Sequence, residues 1–332
     1  MLDDNLFNDY GRMIISPEPI DNYESFGIVL DSGLYISRMM HQNFKQEHLT
    51  DQRNDALILF QMVFSKGIAI RHLCSGMVYE NSIDNFSLNP MFDPMSVANI
   101  VRSQFEAFSN FNNIFISPKS KDIQDFLYDA WVISGLKTRQ SFVDEDTLED
   151  HRKLAEREKK MIDKLVDRIK TNPFYLSLDS TKQDWVDERI KKRAFEFLIK
   201  DGKISTPGWR ELFLNAGGKK IFRHQYSYLS LMTHPSNVSV LDFNDLYKDQ
   251  GYFDRSIALM NRSKEILAFL IHDYCNYMPN GKEYFNSLPE INKIIIDAIN
   301  IHFREGMEPQ YDNREQFYNQ LEEKLKSLRD ID

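Results

Sequence analysis

The stretch YSYLSLMTHPS at 226–236 sets Tyr226, Ser230 and His234 at intervals of four. Eight residues turn a helix by about 800°, so the three side chains lie roughly along one face, with a drift of about 80° from first to last. A tyrosine, a serine and a histidine on one face could move a proton or hold an anion. A histidine in a last helical turn is favoured in its charged form by the carbonyl end of the macrodipole, which suits a general acid or base. The same residues could equally be an ordinary helix end, stopped because Pro235 pushes the residue before it out of the helical region. A second group, RSQFEAF at 102–108, sets Arg102 and Glu106 at i,i+4 on the edge of an apolar stripe. By default such a pair is a weak intrahelical salt bridge. Partly buried, each charge needs a further partner, and Ser230 or His234 across a bundle could supply one.

Long helices must position these groups. Val97, Ile100, Val101, Phe105 and Phe108 recur at three and four, the stripe of a buried helix starting near Pro94 and carrying Arg102. Upstream, NYESFGIVLDSGLYISRMMHQNF and RNDALILFQMVFSKGIAIRHLCSGMVYE are apolar over a wide arc and predict neighbouring bundle helices. The serine and proline of SPKS suit the start of a further helix, KDIQDFLYDAWVISGLKTRQSF.

Residues 148–170 change character, with six acids and eight lysines and arginines around a narrow stripe of Leu154, Met161, Leu165 and Ile169. Glu149 with Lys153 and Glu156 with Lys160 pair at i,i+4, so this reads as a solvated helix, one arm of a hairpin whose other arm is TKQDWVDERIKKRAFEFLIK. KKIFRHQYSYLSLMTH predicts the helix carrying Tyr226, FDRSIALMNRSKEILAFLIHDYCNYM and EINKIIIDAINIHF two more buried helices, and Phe317, Leu321, Leu325 and Leu328 a thin amphipathic one. No strand pattern, internal repeat or low-complexity tract stands out. The expected fold is all-α, an up-and-down helical bundle core with additional charged outer helices. Its expected parts are an N-terminal arm (1–20), the N-terminal half of the core (21–147), a charged insertion or outer layer (148–204), the C-terminal half (205–305) and an amphipathic helix (306–332).

Composition narrows the function classes. With 42% hydrophobic residues in a chain of 332, a sizeable core can be filled. The 24 Phe and 15 Tyr against only 13 Gly and 11 Pro favour long regular elements over turn-rich sheets. A net charge of −9 argues against DNA and against an anionic membrane surface as partners, while leaving a local basic face open. Cys74 and Cys275 stand far apart on apolar segments and read as core thiols of a reducing compartment, not as a disulfide or zinc motif. The acidic start MLDDNLFNDYGRM lacks the pattern of a signal peptide, and no unbroken run nears the roughly 20 apolar residues of a membrane span, so the expected location is cytoplasmic. There is no E-x-x-H or H-E-x-x-H pair, so no metal is expected. NAGGKK at 215–220 comes nearest to a phosphate loop but lacks a preceding strand and a terminal Ser or Thr, so no cofactor is expected either.

Arg102, Ser103, Phe105 and Glu106 form an RSxFE motif, and Tyr226 or Tyr228, Leu229, Ser230, His234, Pro235 and Ser236 a YxxLSxxxHPS motif. This pair resembles a widespread family of uncharacterised bacterial helical proteins related to the HEPN group, over roughly residues 50 to 280. The resemblance implies a four- or five-helix up-and-down core with these polar residues facing inward, and a homodimer. HEPN proteins are often metal-independent ribonucleases of toxin or antiviral systems, where an arginine steadies the phosphate and a histidine moves protons around the ribose 2′-OH. The resemblance therefore implies RNA or a nucleotide as ligand, with Arg102 on the phosphate, His234 as acid or base, and Glu106, Tyr226 and Ser230 in support. The HEPN nuclease motif separates the arginine from a histidine by four to six residues, and no arginine of this chain has a histidine five to seven positions later, so Arg102 and His234 would have to meet in space.

A second class of function stays open beside this one: a polar network that fixes helix register, in an interaction or scaffold protein with a protein partner. A site needs an open cleft, whereas a structural network needs full burial and complete hydrogen bonding.

Overall fold

The computed structural model describes residues 19–44, 50–217, 224–234, 236–248 and 251–305. In chain order the elements are α1 (Pro19–Phe44), α2 (Asp51–Cys74), β1 (Met77–Glu80), β2 (Ser87–Met91), α3 (Pro94–Phe111), a π turn (Asn112–Ile116), α4 (Lys121–Gln140), α5 (Glu149–Thr171), α6 (Pro173–Leu176) and α7 (Ser180–Lys191). Then come β3 (Leu198–Lys200), β4 (Lys203–Ser205), α8 (Trp209–Asn215), α9 (Gln225–Thr233), α10 (Asn237–Lys248), α11 (Tyr252–Tyr277), α12 (Gly281–Asn286), α13 (Glu290–Asn300) and a π turn (Ile301–Glu305). The protein is all-α. The chain divides into two compact units, one made of the residues up to Phe111 and from Phe213 onward, the other of Asn112–Leu212.

In the first unit α11 is the central helix, packed by α1, α2, α3 and α13. Ile266 to Ile271 are all at most 2% exposed, so this helix is apolar around its whole circumference at that level. Close approach of α1 to α2 is set by Gly33, where a Cβ would overlap the Phe64 ring. Gln104 of α3, fully buried, donates from Nε2 to the Val63 carbonyl of α2 at 3.0 Å. The buried Lys264 ammonium is met by Asn22 Oδ1 (3.2 Å) and Ser25 Oγ (2.9 Å) on α1, and buried Asp273 takes both forks of Arg304 at 2.6 and 2.8 Å. Cys74 and Cys275 are free and buried, and burial pushes the Cys74 thiol up to about 12. Among the described residues, α2 alone is long and apolar enough to cross a membrane by length and composition. Its buried residues, among them Phe60, Val63, Phe64 and Ile70, pack on α1, α3 and α11, while Ile58, Met62 and Ile68 are exposed.

In the second unit Ser120 caps α4, accepting from the Ile123 amide at 3.3 Å. α4 packs on α5 around Phe126, Ile133, Ile162, Leu165, Phe174, Val186 and Phe197. The buried face of α5 is Ala155, Glu158, Ile162, Leu165 and Ile169, a strict three–four repeat. Leu154 and Met161, expected in that stripe, are instead 46% and 45% exposed. The packing follows the face presented to α4, not the largest apolar side chains. The i,i+4 pair of Glu149 and Lys153 forms at 3.8 Å.

The structure also departs from the sequence reading in its strands. The helix expected to run to residue 80 ends at Cys74, where Gly76 at φ 87° turns the chain into the β1–β2 hairpin. The helix expected to reach 200 ends at Lys191, and Arg193 at φ 64° leads toward the β3–β4 hairpin. α4, placed by sequence in the N-terminal half of the core, belongs to the second unit. The arm up to residue 18 and the tail carrying Phe317, Leu321, Leu325 and Leu328 lie outside the described residues.

Candidate functional site

The site forms where α9 lies on α3. Apolar packing sets that contact. Phe105 of α3 stacks on Phe213 with ring centroids 3.9 Å apart and lies 5.4 Å from the Tyr226 ring. Leu229 and Met232 are the buried residues of α9. Nine residues make α9 too short to persist alone, so its place is fixed by this packing.

Above the apolar contact the polar groups meet. Arg102 Nε donates to Glu106 Oε1 at 3.2 Å within α3. Arg102 Nη2 donates to Tyr226 Oη at 3.2 Å, and Tyr226 Oη donates in turn to Glu106 Oε1 at 2.9 Å. The guanidinium carbon also lies 5.2 Å from the centroid of the Tyr226 ring, within cation–π range. Arg102 Nη1 lies 3.4 Å from His234 Nε2. A guanidinium only donates, so a hydrogen bond between the two has His234 Nε2 as its acceptor.

Ser230 does not join this group. Its hydroxyl turns back to the Tyr226 carbonyl at 2.8 Å within α9. His234 caps the C-terminus of α9 in an extended conformation, with its N–H to the Ser230 carbonyl at 3.3 Å and its own carbonyl accepting from Ser239 Oγ at 2.8 Å. Pro235 lies outside the described residues.

The cluster is only partly buried. The Arg102 and Glu106 side chains are 21% and 30% exposed, and His234 is exposed. Burial works against the Arg102 charge, but Tyr226 and Glu106 together outweigh it and raise its pKa. Burial, with Glu106 receiving its proton, likewise holds the Tyr226 phenol above its ordinary value in spite of Arg102. Tyr226 therefore stays a donor, and Glu106 offsets much of the Arg102 charge.

Beside His234 opens a groove of about 350 Å³, lined by Met95, Met232, Thr233, His234, Ser239, Val240 and Phe243. Apart from His234, sequence reasoning missed this lining. Next to the lining residue Ser239, Ser236 has a signal of its own: its Oγ accepts the Ser239 amide at 3.2 Å in the manner of a helix N-cap. Met95 and Val240 carry no pattern that marks them as groove residues. Of the NAGGKK stretch, Asn215 ends α8 and Gly217 takes φ 88°, while residues 218–220 lie outside the described residues. Among the described residues no group of three His, Cys, Asp or Glu side chains could hold a metal ion.

Residues 57–252 match the model of the family of unknown function DUF5677, a span that takes in Arg102, Glu106, Tyr226, Ser230 and His234. The match covers more than half of the chain, and the chain belongs to that family. No curated protein and no solved structure matches it.

Proposed function

We propose, taking membership of that family as the premise, that this protein binds a small phosphate-bearing ligand, a nucleotide or an RNA end, in the groove beside His234. The observation that supports this reading is the 3.4 Å approach of Arg102 Nη1 to Nε2 of His234, a residue that also lines the groove. It places an anion-binding guanidinium next to an imidazole, the pairing that the resemblance to HEPN proteins implies. The phosphate takes the Nη1 donor now turned to His234, Glu106 and Tyr226 keep the guanidinium in orientation, and the freed Nε2 lone pair accepts a proton from a ribose 2′-OH. A groove of about 350 Å³ suits a nucleotide or a chain end, and the net charge of −9 disfavours a long polyanion. The setting that goes with this reading is cytoplasmic, in a bacterial defence or toxin system, with a homodimer as the assembly.

A second reading has its own support. The Arg102, Glu106 and Tyr226 hydrogen bonds close on one another, as a register-fixing network in an interaction or scaffold protein would. The partial exposure of the cluster weighs against it.

The test incubates the wild type and an Arg102→Ala, His234→Ala double variant with total RNA and transfer RNA in a chelator, and reads cleavage on a gel. Cleavage by the wild type and not by the variant supports the nuclease form. With no cleavage, saturable binding of AMP or GMP that the variant loses supports the binding form. Neither cleavage nor binding by a folded wild type overturns this reading in favour of the second.

A further inference from the structure

α9 has a second working face. Tyr228 lies about 200° around the helix from Tyr226, so it points away from Arg102. On that side Gln225 and Tyr228 of α9, with Arg255, Ala258, Leu259 and Arg262 of α11, line a cavity of about 340 Å³. The four α11 residues follow a three–one–three spacing, one stripe of that helix, so both arginines face the same space one above the other.

Of the two guanidinium groups there, that of Arg255 is held by long contacts. Arg255 lies over the Tyr228 ring, 5.3 Å from its centroid, and its ion pair with Asp242 is long, 3.5 Å. Arg262 is paired with the buried Glu265 carboxylate at 2.8 Å and lies over the Phe303 ring, 5.9 Å from its centroid. Burial raises the pKa of Glu265 against the pull of Arg262 and Lys264. The Tyr228 hydroxyl is buried and has no hydrogen-bond partner among the described residues. A buried phenol without a partner is uncommon, and a ligand is one of the groups that can satisfy it.

We infer that this cavity binds a small oxyanion, a phosphate group carried on a compact molecule, gripped by Arg255 and Arg262 with Tyr228 Oη and the Gln225 amide as further donors. Arginine's planar fork matches the oxygens of a phosphate, and the ligand takes over from Asp242 the Arg255 contact that is long at present. The volume admits a phosphate with a small organic part and no polymer. The adjoining pocket sharpens the selection, because Asp242, Asp245 and Asp254 line it together with Arg255 and repel a second anionic group on the ligand. The cavity shares no lining residue with the Arg102 cluster, and the inference does not rest on the reading of that cluster.

The experiment is isothermal titration calorimetry of inorganic phosphate and of pyrophosphate against three full-length proteins that all carry Arg102→Gln, so that the groove beside His234 has lost its guanidinium: that variant alone, with Arg255→Gln added, and with Tyr228→Phe added. The expected result is saturable binding of phosphate by the Arg102→Gln protein, weakened about ten-fold or more by the added Arg255→Gln and several-fold by the added Tyr228→Phe. Circular dichroism melts check each fold. Tyr228→Phe removes one hydroxyl and keeps the ring under Arg255, so it carries the test if Arg255→Gln is unstable. Absence of saturable binding to the folded Arg102→Gln protein at about 10 mM of either anion, a far weaker grip than phosphate sites have, overturns the inference. So does binding that survives both of the added substitutions.

Discussion

Arg102 Nη1 and His234 Nε2 lie 3.4 Å apart although 132 positions separate them in the chain. The two residues come from different helices, and each is anchored by something other than this contact. Glu106 and Tyr226 hold the guanidinium, and the end of α9 holds the histidine. Their approach is thus a consequence of how α9 lies on α3, through Phe105, Phe213 and Leu229, and not the cause of it. A contact of this kind can be exchanged for a ligand without loosening the fold.

That asymmetry gives a first prediction. His234→Ala removes an exposed side chain and should change unfolding free energy by less than about 0.5 kcal/mol. Tyr226→Phe removes the one hydroxyl that both accepts from Arg102 and donates to Glu106, and should cost about 1–2 kcal/mol. Urea unfolding followed by circular dichroism measures both. Equal losses from the two substitutions would mean that His234 is a structural member of the cluster.

Part of the site was legible because helix periodicity is. The i,i+4 spacing of Arg102 and Glu106 and the common face of Tyr226 and His234 follow from 3.6 residues per turn. Which helix faces which is a long-range property, and here the pairing of two motifs 120 and more positions apart supplied it. Ser230 shares the spacing, yet it bonds its own backbone, a competition always open to a helical serine. The hairpins were hidden for other reasons. β1 and β2 are short, and β2 contains Pro90, which carries no strand signal. The outer face of α5 misled because Leu154 and Met161 are more apolar than Ala155 and Glu158, while the buried face is chosen by its neighbour α4. The Arg255 and Arg262 stripe is readable as a spacing, but nothing local says that Tyr228 stands opposite it.

A second prediction concerns pH. Asp129 is 2% exposed, and burial raises its carboxyl from 3.8 to about 6 although Arg168 lies 2.6 Å away. Arg168 is 57% exposed, so water screens its pull. A carboxyl whose folded value is raised binds its proton more tightly when folded. Its contribution to stability is then greatest below about pH 3.8, falls as pH rises toward 6, and is level above that. Asp129→Asn removes this titration. The stability of the wild type minus that of the variant should therefore decline between about pH 4 and pH 6, by on the order of 1–3 kcal/mol. Tryptophan fluorescence reads the unfolding of this unit directly, because Trp131, Trp185 and Trp209 all lie within it. A difference that does not move with pH would show that Arg168 compensates the burial fully.

The third prediction sets two glycines against each other. At Gly33 an added methyl group would overlap the Phe64 ring, which is 3% exposed and stacked on Phe60 with centroids 4.7 Å apart, so the ring has nowhere to go. Gly33→Ala should destabilise by about 1–3 kcal/mol, the usual effect of overfilling a packed core. At Gly135, within α4, nothing lies within 4 Å of an added Cβ, and the backbone is helical. There the only change is the restriction of the unfolded chain and the better helix propensity, so Gly135→Ala should stabilise by about 0.5–1 kcal/mol. Denaturant midpoints of the two variants should move in opposite directions. If Gly33→Ala proved neutral, α1 and α2 would have to be able to separate by the width of a methyl group, and the close packing assigned to the first unit would be wrong at its outer pair of helices.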